Sequence, residues 1–456
     1  MNILALAFCL SVIFSFNFQA FAQELNDQPV LQQEVEQVIE LKLPDNNNFI
    51  DIANQNQQGG AVNQSQLGKD IILGQIMHLP TFEQATISNY AAADVFGLRP
   101  KLSKHGISII VNYMNNNFQK LHGGMNPSNK PVAQGLTSVA LGLDTEKLTH
   151  HWKGGAIYTL FQNSTGASID QDYVGDILAI NNFDSRPVTV LTEYWVRQSL
   201  FSDKVRIKFG KQDANFDLSV MGPGVKFMNA AFLSSRTIPI PTFPDTGGGI
   251  SGVIQPNKSF AVRAGWFKSI NPYRSTEVHE LFTKSGHFTI AEINLFPDYK
   301  HIQGKQLYGF WQDTSKIDSL SNPGGTVSSN FGLYAGFNPL VLKENKKEND
   351  TQGLSFVGQL GWAPQDRNPV TRTYAFGVSY QGLVPKRDQD AVGIGAGFAS
   401  FSKYISGART ETAIETFYLF QLKPWLFIQP DFQIIFHPGG IYKNAYVLAV
   451  RSVLTL

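Results

Sequence analysis

The sequence predicts an all-β protein, a transmembrane antiparallel β-barrel of about 16 strands with long extracellular loops and a polar N-terminal extension. Three observations carry that prediction. Long C-terminal segments alternate bulky apolar with polar residues. Aromatic residues make up 12% of the chain and charged ones only 16%, against roughly 25% charged in an average soluble domain. The connections between candidate strands are sorted, short on one side and long on the other.

The alternation is clearest in FIQPDFQIIF, residues 427–436. Gln429, Asp431 and Gln433 fall at every second place, between Ile428, Pro430, Phe432 and Ile434. That period belongs to a strand with two unlike faces. Upstream, Ile414, Thr416, Tyr418, Phe420 and Leu422 share one face, while Glu411, Glu415 and Gln421 share the other. Only Lys423-Pro424 separates the two segments, which is hairpin spacing. Downstream, Tyr446, Leu448, Val450, Leu454 and Leu456 oppose Arg451. So large a continuous oily face is not left to water. Lipid on one side and a watery lumen on the other explain both faces. In lipid only a closed barrel satisfies every backbone group of strands this polar.

The chain begins MNILALAFCLSVIFSFNFQAFAQ. An apolar run followed by Ala20-Phe21-Ala22 reads as a signal peptide over 1–22. The single cysteine, Cys9, lies within it, so a cleaved chain has neither disulfide nor thiol chemistry. Residues 23–90 are amide- and Gly-rich and read as a polar, partly disordered periplasmic extension. Within it Leu31, Val35, Val38 and Ile39 have the spacing of a short helix, ended by Pro44. The barrel is expected over 91–456.

Candidate strands fall at 107–114, 136–145, 155–163, 190–200, 204–210, 248–256, 259–267, 286–294, 305–313, 329–337, 353–362, 371–382, 391–400, 410–422, 425–436 and 444–455. The segment 391–400, AVGIGAGFAS, is Gly-rich and weakly patterned. Short links at 201–203, 256–258 and 423–424 lie on the side of the C-terminus; long ones at 115–135, 164–189 and 211–247 lie opposite. Link 338–351 is long on the short side. Pro430 requires a strand position that donates nothing, or a bulge. Residues 211–247 form the longest loop and carry Phe227, Met228, Phe232 and Leu233, so this loop is expected to fold inward as the constriction.

Lumen candidates follow from parity. Glu193, Trp195 and Arg197 share a face, Arg206 and Lys208 oppose Val205, Ile207 and Phe209, and Arg263 opposes Val262, Ala264 and Trp266. An Arg or Lys on the lipid face costs about 2–4 kcal/mol near the midplane, which sets the direction. Together with Glu411, Glu415, Gln421, Gln429, Asp431, Gln433 and Arg451 they form the expected pore-lining set. Carboxylate, guanidinium and amide groups can replace water around sugar hydroxyls, and Trp195 can face the apolar side of a pyranose ring. The alternative for each residue is a generic solvated wall whose charges pair.

Other chemistry is weakly supported. No serine elbow, zinc-protease or phosphate-loop spacing occurs, no cofactor is implied, and the chain is not read as an enzyme. His150-His151 reads as a solvated turn rather than a metal pair, since ligands on one face need wider spacing. A formal net charge of +1 gives no case for nucleic acid.

Several stretches resemble the OprB family of carbohydrate-selective porins over Asp94 to Leu456. They are DVFGLRPKLSKHGISI (94–109), LGLDTEKLTHHWKGGAIYTLFQNSTG (141–166), KFGKQDANFD (208–217), FMNAAF (227–232), GLVPKRDQDAVGIG (382–395) and ETAIETFYLFQLKPWLFIQPDFQIIFHPGG (411–440). The resemblance implies a sixteen-stranded outer-membrane barrel that passes small sugars by diffusion. A general or other-solute porin, or a non-transporting structural barrel, remains open at this point, as does the choice between monomer and trimer. The expected partners are small sugars and outer-membrane lipid.

Overall fold

The computed structural model describes residues 91, 98–269, 286–299, 302–344 and 352–456. The signal-peptide and extension readings lie outside these residues, apart from the barrel's own start.

Sixteen long strands close into an antiparallel barrel. They are β1 (Ile107–Gly124), β2 (Val132–Asp144), β3 (Gly155–Gly166), β4 (Val188–Leu200), β5 (Val205–Gln212), β6 (Gly247–Asn257), β7 (Phe260–Lys268) and β8 (His287–Leu295). They continue as β9 (Gln306–Asp313), β10 (Asn330–Phe337), β11 (Gly353–Trp362), β12 (Val370–Gln381), β13 (Ala391–Phe401), β14 (Glu411–Lys423), β15 (Leu426–Phe436) and β16 (Lys443–Thr455). Each strand pairs with the next, and β16 pairs back onto β1, with Asn112 opposite Thr455 and Phe118 opposite Ala449. Closure leaves no sheet edge to desolvate.

The strands fall where the alternation places them, with one large difference. β1 runs ten residues beyond the expected 107–114, through the run NNNFQKLHGG. Asparagine is a poor strand former by composition, so the run reads as loop in sequence. Here Asn116 and Phe118 are buried against the lumen, pairing to β2 extends to Phe118, and pairing to β16 runs on to Gly124. The link between β1 and β2 therefore shortens to 125–131. At Pro430 the register of β14 with β15 is unchanged on both sides, Phe417 opposite Asp431 and Phe420 opposite Ile428. Proline thus occupies a place without an insertion and without a demand for a donor.

β4 carries a bulge. Leu160 pairs with Glu193 and Phe161 with Leu191, leaving Thr192 as the extra residue. The bulge turns Leu191 outward, 41% exposed, while Glu193 points inward, 3% exposed. At the end of the barrel that carries the chain terminus, helix α1 (Leu98–Lys104) precedes β1, and Arg99 Nη2 donates to the Leu456 carbonyl at 2.6 Å. Helix α2 (Thr145–Thr149) turns β2 into β3.

The hydrophobic core lies inside the barrel. Ile169, Val174, Leu178, Ile180, Phe227, Met228 and Phe232 come from the two longest loops, 167–187 and 213–246, and all are fully buried. Phe227 stacks on Phe232 at 4.1 Å and meets the edge of Phe417 on β14 at 4.9 Å. The weak pattern of 391–400 now has a cause. A Cβ on Gly395 would lie 2.5 Å from the Phe232 ring, and one on Gly377 would lie 2.7 Å from the Phe227 ring. Glycine on the inner face of β12 and β13 makes the room that the loop aromatics occupy.

Candidate functional site

The inward residues divide into two walls. On β14–β16 the candidates are capped by the in-folded loops. Glu411 is fully buried and accepts from the backbone N–H groups of Ile177 (2.9 Å), Leu178 (2.7 Å) and Gly439 (2.6 Å). Glu415, also fully buried, accepts from Met228 N (2.6 Å) and Asn229 N (2.9 Å). Gln433 donates to the Ile180 carbonyl at 3.0 Å and to Asp431 at 3.0 Å, and accepts from Asn229 Nδ2 at 3.1 Å. Gln429 donates to the Lys226 carbonyl at 2.8 Å. Arg451 donates to Asn116 (2.9 Å), Asn181 (3.0 Å) and Asn182 (2.9 Å), with its guanidinium 5.4 Å from the Phe183 ring.

These residues face the lumen as parity requires, yet they lie beneath loops rather than beside open water. A carboxylate that receives two or three N–H groups is a strong anchor, because bonds to a charged acceptor contribute about 1.5–3 kcal/mol each. The same device recurs on the other wall. Glu193 accepts from Asp213 N at 3.2 Å, and Glu292, which sequence reasoning passed over, accepts from Ser219 N at 2.8 Å and Tyr334 OH at 3.1 Å. Four inward glutamates therefore hold the two loops at their backbone. Its place in an apolar alternation, INL following Glu292, was the available signal.

Gln421 stands apart from the wall. It lies at the end of β14, and its side-chain amide donates to the Lys423 carbonyl, 2.5 Å away, within the β14–β15 turn. It keeps the inward parity of β14 but sits two residues from the strand's end, since parity says nothing of height along the barrel.

On β4–β7 five candidates stay partly exposed. Arg197 sits directly opposite Lys208, and Val253 separates Arg206 from Arg263 across β6. Trp195 stacks on Tyr158, its cross-strand partner, at 4.8 Å, and donates from Nε1 to Glu193 at 3.1 Å. The Lys208 ammonium stands 4.7 Å over the Trp195 ring and forms an ion pair with Asp217 of the long loop. Arg263 donates to the Asp217 carbonyl at 2.7 Å. Burial works to raise the Asp217 carboxyl, but Lys208, Arg263 and Arg206 hold it below its usual range.

A cavity of about 30 Å³, room for a single water, lies between the in-folded loops and the wall of β1–β3 and β16, which lines it with Met114, Leu136, Leu160 and Val453 as well as polar groups. Asn112, Ser138 and Gln162 form a polar row across β1–β3, with Gln162 donating to Ser138 at 3.0 Å. Phe183, Phe216 and Phe243 from the in-folded loops, with Asp213, face it. His150 and His151 are exposed in the α2 turn, and among the described residues no three His, Cys, Asp or Glu side chains are placed to hold a metal ion.

The profile of the carbohydrate-selective porins, OprB family, matches residues 129–456. The chain belongs to the OprB family. Porin B of Pseudomonas aeruginosa is 22% identical over 424 residues, 80% of this chain and 90% of that one. The high-pH structure of Pseudomonas putida OprB superposes with a TM-score of 0.74 at 21% identity, covering 82% of this chain and 99% of that chain. The low-pH structure of the same protein gives 0.55 at 17% identity, covering 82% of this chain and 100% of that chain. The protein is a carbohydrate porin of the outer membrane, a channel by family.

Proposed function

We propose that small sugars cross passively through the gap between the in-folded loops and the wall of β1–β7. The observation that carries this reading is the division of the lumen. One wall is occupied by anchored loops, and the other keeps Trp195, Arg197, Arg206, Lys208 and Arg263 partly open. Trp195, stacked on Tyr158, holds the Lys208 ammonium over its ring, and the guanidinium and ammonium groups replace water on the sugar hydroxyls. Weak contacts suit the task, since a tightly held solute would not leave. Cleavage after Ala22, a periplasmic segment 23–90 and a barrel over 91–456 complete the proposed organisation.

Swelling of liposomes carrying the purified protein tests the reading. Glucose and other monosaccharides should enter several-fold faster than amino acids of matched size, and the Trp195→Ala/Arg206→Ala pair should lower that ratio while keeping or raising ion conductance. Equal rates for sugars and amino acids would leave a general pore. Four cations beside three carboxylates, Asp217, Asp213 and Glu193, leave a net positive wall and favour one specific alternative, an anion-preferring pore; gluconate entering faster than glucose would select it.

A further inference from the structure

The outer wall carries an arginine where lipid should stand. On β12 the buried, inward set is Thr371, Thr373, Ala375, Gly377 and Ser379, so Arg372, Tyr374 and Phe376 face outward. Arg372 is exposed and stands level in the ladder with Trp362 on β11 and Ser400 on β13. Toward the middle of the band its column continues with Tyr374, between Leu360 and Phe398, and then Phe376 beside Ala396. Among the described residues Arg372 has no hydrogen-bond or ion-pair partner.

The rim above Arg372 is basic. Lys403 is exposed just past the end of β13, with its ammonium 5.1 Å over the exposed Tyr404 ring. The 402–410 loop is tied to the start of β12, because Ser402 N donates to the Pro369 carbonyl at 2.8 Å. That loop contains no carboxylate. In the adjoining 363–369 loop the one carboxylate, Asp366, is taken by Arg367 at 2.8 Å. Beside Arg372, the exposed rings of Trp362 and Phe331 meet edge to face at 5.9 Å. Outward aromatics at the end of a strand mark the level of the headgroups. This end of the barrel is the one that carries loops 167–187 and 213–246, so the leaflet beside it is the outer one.

We propose that Arg372 and Lys403 hold the phosphate of an outer-leaflet lipid. Trp362 and Tyr404 flank its headgroup, and its acyl chains lie along Leu360, Tyr374 and Phe398. Three features select this occupant. An unpaired guanidinium beside a loop without carboxylates calls for an anion. The planar fork of an arginine next to the point charge of a lysine suits the several oxygens of a phosphate. The apolar column directly beneath calls for a hydrocarbon tail on the same molecule, and a free phosphate would leave it unused.

Full-length protein in detergent, mixed with diphosphoryl lipid A, tests the site, with bound lipid read as adduct mass by native mass spectrometry. The unsubstituted barrel should carry the adduct. Arg372→Gln/Lys403→Gln should raise the apparent Kd by about tenfold or more, as the loss of a charge-assisted hydrogen bond implies. Arg372→Lys keeps the charge without the fork and should also weaken binding. Lys443→Gln removes a charge from the same rim on the inward parity of β16 and should leave binding unchanged. All variants should stay heat-modifiable and keep sugar swelling, since none touches the lumen. If the pair does not fold, Arg372→Gln and Lys403→Gln are compared singly. An unchanged Kd in the glutamine variants, equal binding of lipid A stripped of its phosphates, or displacement of lipid A by inorganic phosphate would each overturn the proposal.

Discussion

The β14–β16 wall and the β4–β7 wall carry the same kinds of inward side chain and use them differently. On β14–β16, Glu411, Glu415, Gln429 and Gln433 are fully buried and bond to loop backbone, and Arg451, also fully buried, donates to the side chains of Asn116, Asn181 and Asn182. On β4–β7, Arg197, Arg206, Lys208 and Arg263 stand partly open, and only Glu193 among the candidates is buried, again on a loop N–H. The difference follows from what the loops carry. Their apolar residues need an apolar, glycine-rimmed wall to pack on, and β12–β14 supplies it through Gly377, Gly395 and Phe417. Polar side chains beside that contact must then bond to the loop or be left buried without a partner. On the opposite wall Lys208 and Arg263 bond to Asp217 of the long loop while their side chains stay partly exposed.

Breaking the packed side should have the largest effect. Phe232→Ala removes a fully buried ring between Phe227 and the inner face of β13. Core Phe→Ala changes cost about 3–5 kcal/mol. Because the backbone ladder of the barrel is untouched, the cost falls on loop closure. Single-channel conductance should rise and sugar discrimination fall, while the barrel still inserts and stays heat-modifiable. The counterpart on the open wall, Trp195→Ala, should leave loop protection from protease unchanged and alter only flux. If both variants loosen the loop equally, the two walls are not distinct.

A pair of lysine substitutions sharpens the comparison across a single strand. Phe432 faces lipid on β15, and its neighbour Gln433 faces the loops. Phe432→Lys should damage assembly by about 2–4 kcal/mol if it lies near the midplane. From sequence alone, Gln433→Lys reads as harmless, a charge exchanged for an amide in water. The site is dry instead: Gln433 bonds Ile180, Asn229 and Asp431 and is fully buried. Gln433→Lys should therefore insert normally yet lose the loops' protease resistance. Normal protection in that variant would show that this wall is wetter than its hydrogen bonds imply.

That pair also marks what the sequence makes legible. Strand order, sixteen-fold closure and inward parity follow from a period of two, which depends only on local geometry. The inward fold of 213–246 is readable from Phe227, Met228 and Phe232. Loop 167–187 is harder: Ile169, Val174, Leu178 and Ile180 have neither helical nor strand period, and their partner Glu411 lies 234 positions away from Ile177. Parity says which way Glu411 points but not what covers it. The glycines of β13 mislead for the same reason, since their role is fixed by Phe232 from another part of the chain.

The smallest expected effect is a pH dependence at the hinge between the walls. Asp213 opens the long loop and lines the cavity. Burial pushes its carboxyl up to about 6, against the N–H groups of Phe243 and Asn215, the Thr242 hydroxyl and the Lys208 charge, which pull it down. A carboxyl raised in the closed loop favours closure fully below its ordinary value of 3.8. That contribution is lost as the pH rises through about 6. Amide exchange across 213–246 should therefore quicken beyond its intrinsic pH dependence between pH 4 and 7, by roughly tenfold or more. Asp213→Asn keeps an acceptor without the titration, so its corrected exchange should be flat over that range. A corrected rate that slows with rising pH in the unsubstituted protein would reverse the sign, and would mean that the ionised carboxylate, through the three donors around it, holds the loop shut.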